Sequence, residues 1–117
     1  MKIAICALTY HRPIGLRRLL DGLEALERPE VSDVVVVIVD NDPDESGRPV
    51  VGDFRESSRL DVDYTVERRR GIATARNTAV ARALHHGADA VCFLDDDEWP
   101  EPAWLIELLA TQTATGA

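Results

Sequence analysis

Lys2 is the only lysine in 117 residues, and its place beside the N-terminus excludes mechanisms that need a central ammonium group. The other basic residues are arginines, and they are outnumbered: 13 Lys and Arg face 21 Asp and Glu, for a net charge of -8. A nucleic-acid binder needs a basic footprint, so that class is excluded, and a polyphosphate ligand would have to be held by a metal or a local basic patch. There are only two cysteines, Cys6 and Cys92. Both lie inside apolar runs, where a thiol behaves as a small hydrophobe, which argues against a disulfide or a sulfur-ligated metal. No apolar run approaches membrane-spanning length, and the one after Lys2 is too short and too early for a signal peptide. The expected location is the cytoplasm, with attachment to the inner face of the membrane as an extension of it. G-x-G-x-x-G is missing after the first strand and G-x-x-x-x-G-K-[ST] is missing throughout, which removes the usual phosphate cradles. Repeats, linkers and low-complexity tracts are also lacking, and the length suits one small domain near the low end for a complete enzyme.

What the chain does have is Val91-Cys92-Phe93-Leu94 running into Asp95-Asp96-Asp97-Glu98. Four neighbouring carboxylates repel one another unless a positive charge joins them, and carboxylate oxygens suit a hard cation such as Mg2+ or Mn2+. Taken alone, the cluster reads equally well as a solvated turn capping the next helix.

The rest of the pattern alternates strand and helix. Residues 3 to 9 are a nearly continuous apolar run, as expected of a strand covered on both faces. Pro13 opens a helix whose stripe is Leu16, Leu19, Leu20, Leu23 and Leu26. Val34 to Val39 form a second buried strand closed by Asp40-Asn41-Asp42-Pro43, and Asp44 to Gly47 form a polar turn. Val50, Val51 and Phe54 mark a short helix, and Leu60, Val62, Tyr64 and Val66 alternate with polar residues like an edge strand. Ile72 to His86 is an alanine-rich helix ended by Gly87, Ala90 to Leu94 is a strand, and Ala103 to Ala110 is a last helix. The order predicts a three-layer α/β/α, Rossmann-like parallel sheet with right-handed crossovers. Ligands of such sheets bind beyond the carboxyl ends of the strands. Thr9, Tyr10, His11 and Arg12, then Asp40, Asn41 and Asp42, then Asp95 to Asp97 all follow strands there, which favours a site over a solvated turn. A receiver-type domain would need a lysine on that edge, and a pyrophosphorylase a Gly-rich loop where Ala7-Leu8-Thr9-Tyr10-His11-Arg12-Pro13 has none.

Four segments resemble the family 2 glycosyltransferases, which have the GT-A fold. Ala7 to Pro13 is similar to the family's threonine-tyrosine-asparagine-arginine opening, with His11 in place of asparagine. Val39-Asp40-Asn41-Asp42 resembles its valine-aspartate-aspartate/asparagine element at the second strand end, and Arg70-Gly71-Ile72-Ala73-Thr74-Ala75-Arg76-Asn77 its third-helix start. Phe93 to Pro100 resembles its DxD element. The resemblance covers nearly the whole chain and implies a donor site for a nucleotide-diphospho-sugar, a UDP-sugar foremost. It implies that Asp40 accepts hydrogen bonds from the base or ribose, that Thr9, Tyr10, Arg12 and Asn41 line the same pocket, and that Arg76 reaches the nucleotide. Asp97 would be the first metal ligand, Asp95 would serve the ribose or the metal, and Asp96 would share either duty, with Mg2+ or Mn2+ bridging the diphosphate.

Several of these residues also admit a purely structural role. Asp40 could simply stop its strand through an Asx-turn. Arg76 could be a surface residue, His85 and His86 exposed helix-end residues, and Arg68 to Arg70 a solvated charge run. The family's catalytic base and acceptor-binding strands would lie beyond Ala117, so the catalytic residue is left unassigned. The chain reads as the N-terminal nucleotide-sugar-binding part of a GT-A domain, serving inverting transfer to a glycan or lipid-linked acceptor. A non-catalytic nucleotide-diphosphate-binding fragment is the alternative. An uncovered sheet edge is expected to favour a homodimer. A weaker reading treats Asp95 and Asp97 as a dehalogenase-type nucleophile pair, but Trp99 stands where that motif carries threonine or valine.

Overall fold

The computed structural model describes residues 2–26, 33–95 and 105. Along the chain these form β1 (Lys2–Thr9), α1 (Pro13–Glu24), β2 (Asp33–Asp40), α2 (Arg48–Ser57), β3 (Asp61–Val66), α3 (Ile72–His85) and β4 (Ala90–Asp95). The four strands are parallel, in the order β3-β2-β1-β4. The chain therefore steps one way from β1 to β3 and then returns across the sheet to β4. Right-handed crossovers made in opposite directions must lie on opposite faces, and they do.

Alternation along the two central strands explains how both faces are filled. Ile3, Ile5 and Ala7 with Val34, Val36 and Ile38 pack against Leu16, Leu19, Leu20 and Leu23 of α1 and Val51 and Phe54 of α2. Leu105 is buried in the same cluster. Ala4, Cys6, Val35, Val37 and Val39 face the other way, onto Ala75, Ala79 and Ala83. The alanines recur every four residues, so α3 presents a strip of methyl groups instead of a leucine stripe. This is the expected sandwich of buried strands between helices. Both thiols are buried and free, as anticipated, and loss of solvation pushes the Cys6 thiol up to about 12.

The helix ends follow from local chemistry. Pro13 occupies the first turn of α1, where its missing N–H is no loss. At the other end of α3, Gly87 has φ +77, its N–H bonds to the Leu84 carbonyl, and the Ala88 N–H bonds to the Ala83 carbonyl. That pair of bonds is a Schellman closure, and the positive φ is the reason for glycine. One expectation needs correction here. His86 is not simply an exposed helix-end residue: its Nε2 lies 2.7 Å from Asp63 Oδ2. Asp63 also accepts Arg82 and Thr65. Burial alone would raise the Asp63 carboxyl, but these hydrogen bonds outweigh it and hold the group below its ordinary value. The expected helix over Ala103 to Ala110 lies outside the described residues, Leu105 apart. No helix among the described residues is long and apolar enough to cross a membrane.

Candidate active site

Register brings the strand ends level, with Thr9 opposite Asp40 and Leu8 opposite Asp95. The direction of winding reverses between β1 and β4, and an open cleft of about 380 Å³ lies at that carboxyl edge. Leu8 and Thr9 come from β1, Tyr10 and Arg12 from the loop after it, Asn41 from the end of β2, and Asp95 from the end of β4. Ile72, Ala75 and Arg76 of α3 close the remaining wall. Six of the residues anticipated from the sequence thus converge: Thr9, Tyr10, Arg12, Asn41, Arg76 and Asp95. Such a crevice at a topological switch point is where open α/β sheets bind ligands.

The cleft has a positive bias although the chain is acidic. It adjoins the start of α3, which has no acidic residue in its first turn and no side-chain cap, so the positive end of the helix dipole borders the cavity. The Arg76 guanidinium rests 4.6 Å from the centre of the Phe93 ring, and that of Arg70 rests 4.5 Å from the Tyr10 ring. An aromatic face holds a guanidinium without cancelling its charge. The neighbours Arg68 and Arg69 are instead paired with Glu45 and Glu67. Within the expected charge run of 68 to 70, Arg68 and Arg69 are solvent-exposed and ion-paired, as such a run would be, and Arg70 is stacked on the wall residue Tyr10.

His11 stands edge-on to Tyr10, 4.2 Å between ring centres, with φ +53. Its Nε2 lies 3.4 Å from the buried Asp42 carboxylate. Asp42 is held below the usual carboxylate range, foremost by the Ser46 side chain and then by backbone N–H groups of Asp44 and Ser46, against the effect of burial.

Asp40 departs from its expected role. Its side chain is fully buried and does not line the cleft. Oδ1 accepts the Asp42 N–H at 3.0 Å, and Oδ2 accepts the Gly47 N–H at 2.8 Å and the Tyr64 hydroxyl at 2.6 Å. The first bond is the Asx-turn of a strand stop, and the others join α2 and β3 to the end of β2. In a strand successive side chains alternate. Asp40 consequently points into the layer beneath α1 and α2, while its neighbour Asn41 reaches the cleft.

Asp96 and Asp97 lie outside the described residues. Among the described residues, no group of three or more His, Cys, Asp or Glu could hold a metal, and Asp95 is the sole carboxylate on the cleft wall. One or two carboxylates with substrate phosphates completing the shell is nevertheless the ordinary way to bind Mg2+, so the residue present fits such an ion. Sequence reasoning missed Arg70 as the group stacked on the wall residue Tyr10, and Ile72, Ala75 and Leu8 as apolar lining. The glycine before α3 was the available signal for the first two, since it marks where the chain turns into the cleft.

The sequence model of glycosyl transferase family 2 matches residues 4–117. The succinoglycan biosynthesis protein ExoM of Rhizobium meliloti (strain 1021) is 36% identical over 115 residues, covering 98% of this chain and 35% of ExoM. The chain therefore spans about a third of that relative's length. Among solved structures, S. aureus TarS 1-349 in complex with UDP superposes with a TM-score of 0.76 at 23% identity, over 97% of this chain and 32% of TarS 1-349. The mannosyltransferase PcManGT from Pyrobaculum calidifontis, in complex with GDP-Man and Mn2+, gives 0.71 at 27% identity, over 86% of this chain and 29% of PcManGT.

Proposed function

The chain belongs to glycosyl transferase family 2, and from that premise we propose that its cleft binds a nucleotide-diphospho-sugar, a UDP-sugar foremost, together with Mg2+ or Mn2+. The observation that carries this reading is the pairing, across one cleft at the strand ends, of Arg12 and Arg76 with Asp95. Anionic phosphates need the first kind of group, and a bridging cation needs the second. Support also comes from TarS 1-349, whose structures hold UDP and UDP-GlcNAc, and from PcManGT, which holds GDP-Man and Mn2+.

In this reading Thr9 and Tyr10 wall the nucleoside and Arg12 and Arg76 face the diphosphate. Asp95 and Asp97 would hold the metal, with Asp96 beside them. When bound, the ion neutralises charge building on the departing diphosphate. The residues of the chain orient the donor so that an acceptor hydroxyl meets the sugar from the side opposite the diphosphate, which inverts the anomeric centre. ExoM is named for succinoglycan biosynthesis, and a growing glycan or its lipid-linked form is the corresponding acceptor class. A homodimer is proposed on the strength of β3, whose outer edge is unpaired with any strand among the described residues. Light scattering decides it.

A second reading is a donor-binding portion without turnover of its own. It is favoured by the cleft wall itself, which among the described residues carries no carboxylate other than Asp95 to act as a base. Calorimetric titration of UDP with Mn2+ and again with a chelator tests the first claim. Equal affinity in both would remove the metal, and no binding in either would remove the donor site. A turnover assay with a UDP-sugar separates enzyme from binding portion.

A further inference from the structure

Away from the cleft, β3 is an edge strand, and the backbone groups of successive residues in a strand point to opposite sides. The Glu67 N–H donates to the Asp40 carbonyl at 2.9 Å, and β3 keeps parallel register with β2 from Asp61 to Val66. Residues 61, 63 and 65 share the inward sense of 67, so Val62, Tyr64 and Val66 turn both N–H and C=O to the open edge. Among the described residues nothing meets the Tyr64 or Val66 N–H. An edge of this kind is a template for another strand.

One of these outward groups is already taken. Arg55, in the last turn of α2, donates from Nη2 to the Val62 carbonyl. Because that carbonyl points outward, the guanidinium lies on the outer side of β3, where an incoming strand would run. The pairing open to every copy of the chain is β3 with β3 about a two-fold axis. The register that uses all three outward residues sets Tyr64 opposite its counterpart, and Val62 of one copy opposite Val66 of the other. Each Val62 carbonyl would then accept a Val66 N–H, in the place Arg55 fills. The same register sets Asp61 of one copy opposite Glu67 of the other, and like charges facing across a ladder oppose pairing.

We propose that Arg55 gates the β3 edge: a second copy of the chain completes the ladder only by displacing this guanidinium, so pairing is weak in the wild type and strengthens when Arg55 is removed. The inference takes its occupant from the homodimer proposed above. Sedimentation velocity over a concentration series is run on the wild type, Arg55→Ala and the Arg55→Ala/Val66→Pro pair, and exchange of the Tyr64, Thr65 and Val66 amides is followed by NMR. The proline removes an outward N–H and leaves the bonds to β2 in place. Arg55→Ala is expected to self-associate about tenfold more tightly than the wild type, or more, since two carbonyls per dimer are freed. In the associated state Tyr64 and Val66 exchange slows by about tenfold or more, while Thr65, already bonded to β2, is unchanged. The pair loses the added association. Association of Arg55→Ala no tighter than that of the wild type, tighter association without protection of Tyr64 and Val66, or association that survives the proline would each overturn the gate. Should the proline variant fail to fold, the exchange pattern of Arg55→Ala decides. A wild type that is already dimeric through a protected Tyr64, as tightly as Arg55→Ala, removes the gate and leaves the homodimer. A wild type that stays monomeric beside a dimeric Arg55→Ala removes the homodimer and leaves the gate.

Discussion

The Tyr64 hydroxyl donates to Asp40 Oδ2 at 2.6 Å, joining the edge strand to the end of a central strand inside the protein. Burial, and then this bond to Asp40, raise the Tyr64 phenol above its ordinary value. The Asp40 carboxylate is the junction of three elements, which makes it a stability residue. Asp40→Ala is expected to lower unfolding free energy by roughly 2–4 kcal/mol, since two N–H groups and a hydroxyl lose their acceptor. Tyr64→Phe should cost only about 1 kcal/mol. Urea unfolding measures both, and a destabilisation of Asp40→Ala no larger than that of Tyr64→Phe would contradict the junction.

Gly47 is expected to resist even alanine. A Cβ there would sit 2.9 Å from Asp40 Oδ2 and 3.1 Å from Leu16 Cδ2. Its backbone is ordinary, at φ -80, so the penalty is crowding alone, about 1–3 kcal/mol. Pairing the change with Asp40→Ala should relieve part of it, which a double-mutant cycle in denaturant would read.

Acid should loosen the link between β3 and α3. Glu67 accepts Thr78 Oγ1 at 2.7 Å and Arg69 Nη2 at 3.0 Å. The Arg69 side chain first, then its backbone N–H and Thr78, draw the Glu67 carboxyl down to about 2 from an ordinary 4.5. A depressed carboxylate favours the folded state fully above its unfolded value and loses that contribution as pH falls toward the folded one. The stabilisation from Glu67 is therefore lost between about pH 4.5 and pH 2. Glu67→Gln should flatten the fall in thermal midpoint over that window, and a profile parallel to the wild type would refute the assignment.

Arg76 offers a test of the cleft that spares the fold. Its side chain is exposed and rests on Phe93, so Arg76→Ala should change stability by about 0.5 kcal/mol or less while weakening UDP by about tenfold. Uridine without phosphate should bind the variant as it binds the wild type. An equal loss for both ligands would move Arg76 away from the diphosphate.

Metal dependence should reside in the acidic cluster. Asp97→Asn and Asp95→Asn are each expected to reduce the gain in UDP affinity on adding Mn2+, with the far-ultraviolet circular dichroism unchanged. Retention of the full Mn2+ effect in both would require other ligands.

The strands and helices were legible because their physical signals are local. Continuous apolar runs at 3 to 9 and 34 to 39, the leucine spacing after Pro13 and the alanine strip after Gly71 each need only neighbouring residues to be read. Alternation in Leu60, Val62, Tyr64 and Val66 marked β3 as an edge, and it is hydrogen-bonded to β2 alone among the described strands. The loops that gather at the cleft were also visible, since parallel strands bring their carboxyl ends to one edge. The role of Asn41 was not visible, and for Asp40 the strand-stopping Asx-turn stood beside a nucleotide-binding role with nothing local to choose between them. Two adjacent polar residues at a strand end look alike in a sequence, and only the pleat sends one beneath the helices and the other toward the cleft. The pairing of His86 was hidden for a similar reason, because its partner Asp63 lies on another element 23 positions earlier.

By itself, then, the sequence determined the layers, the parallel sense of the strands and the edge at which chemistry collects, because apolar periodicity and turn residues act over a few positions. The tertiary structure alone decided which carboxylate is buried as a junction, which amide bonds to the backbone of residues 67 to 71, and which arginines rest on aromatic rings beside the cleft. Those outcomes depend on partners distant in the chain: Tyr64 for Asp40, Gly71 for Asn41 and Tyr10 for Arg70. Their meeting is a consequence of sheet order and register, which no local pattern encodes.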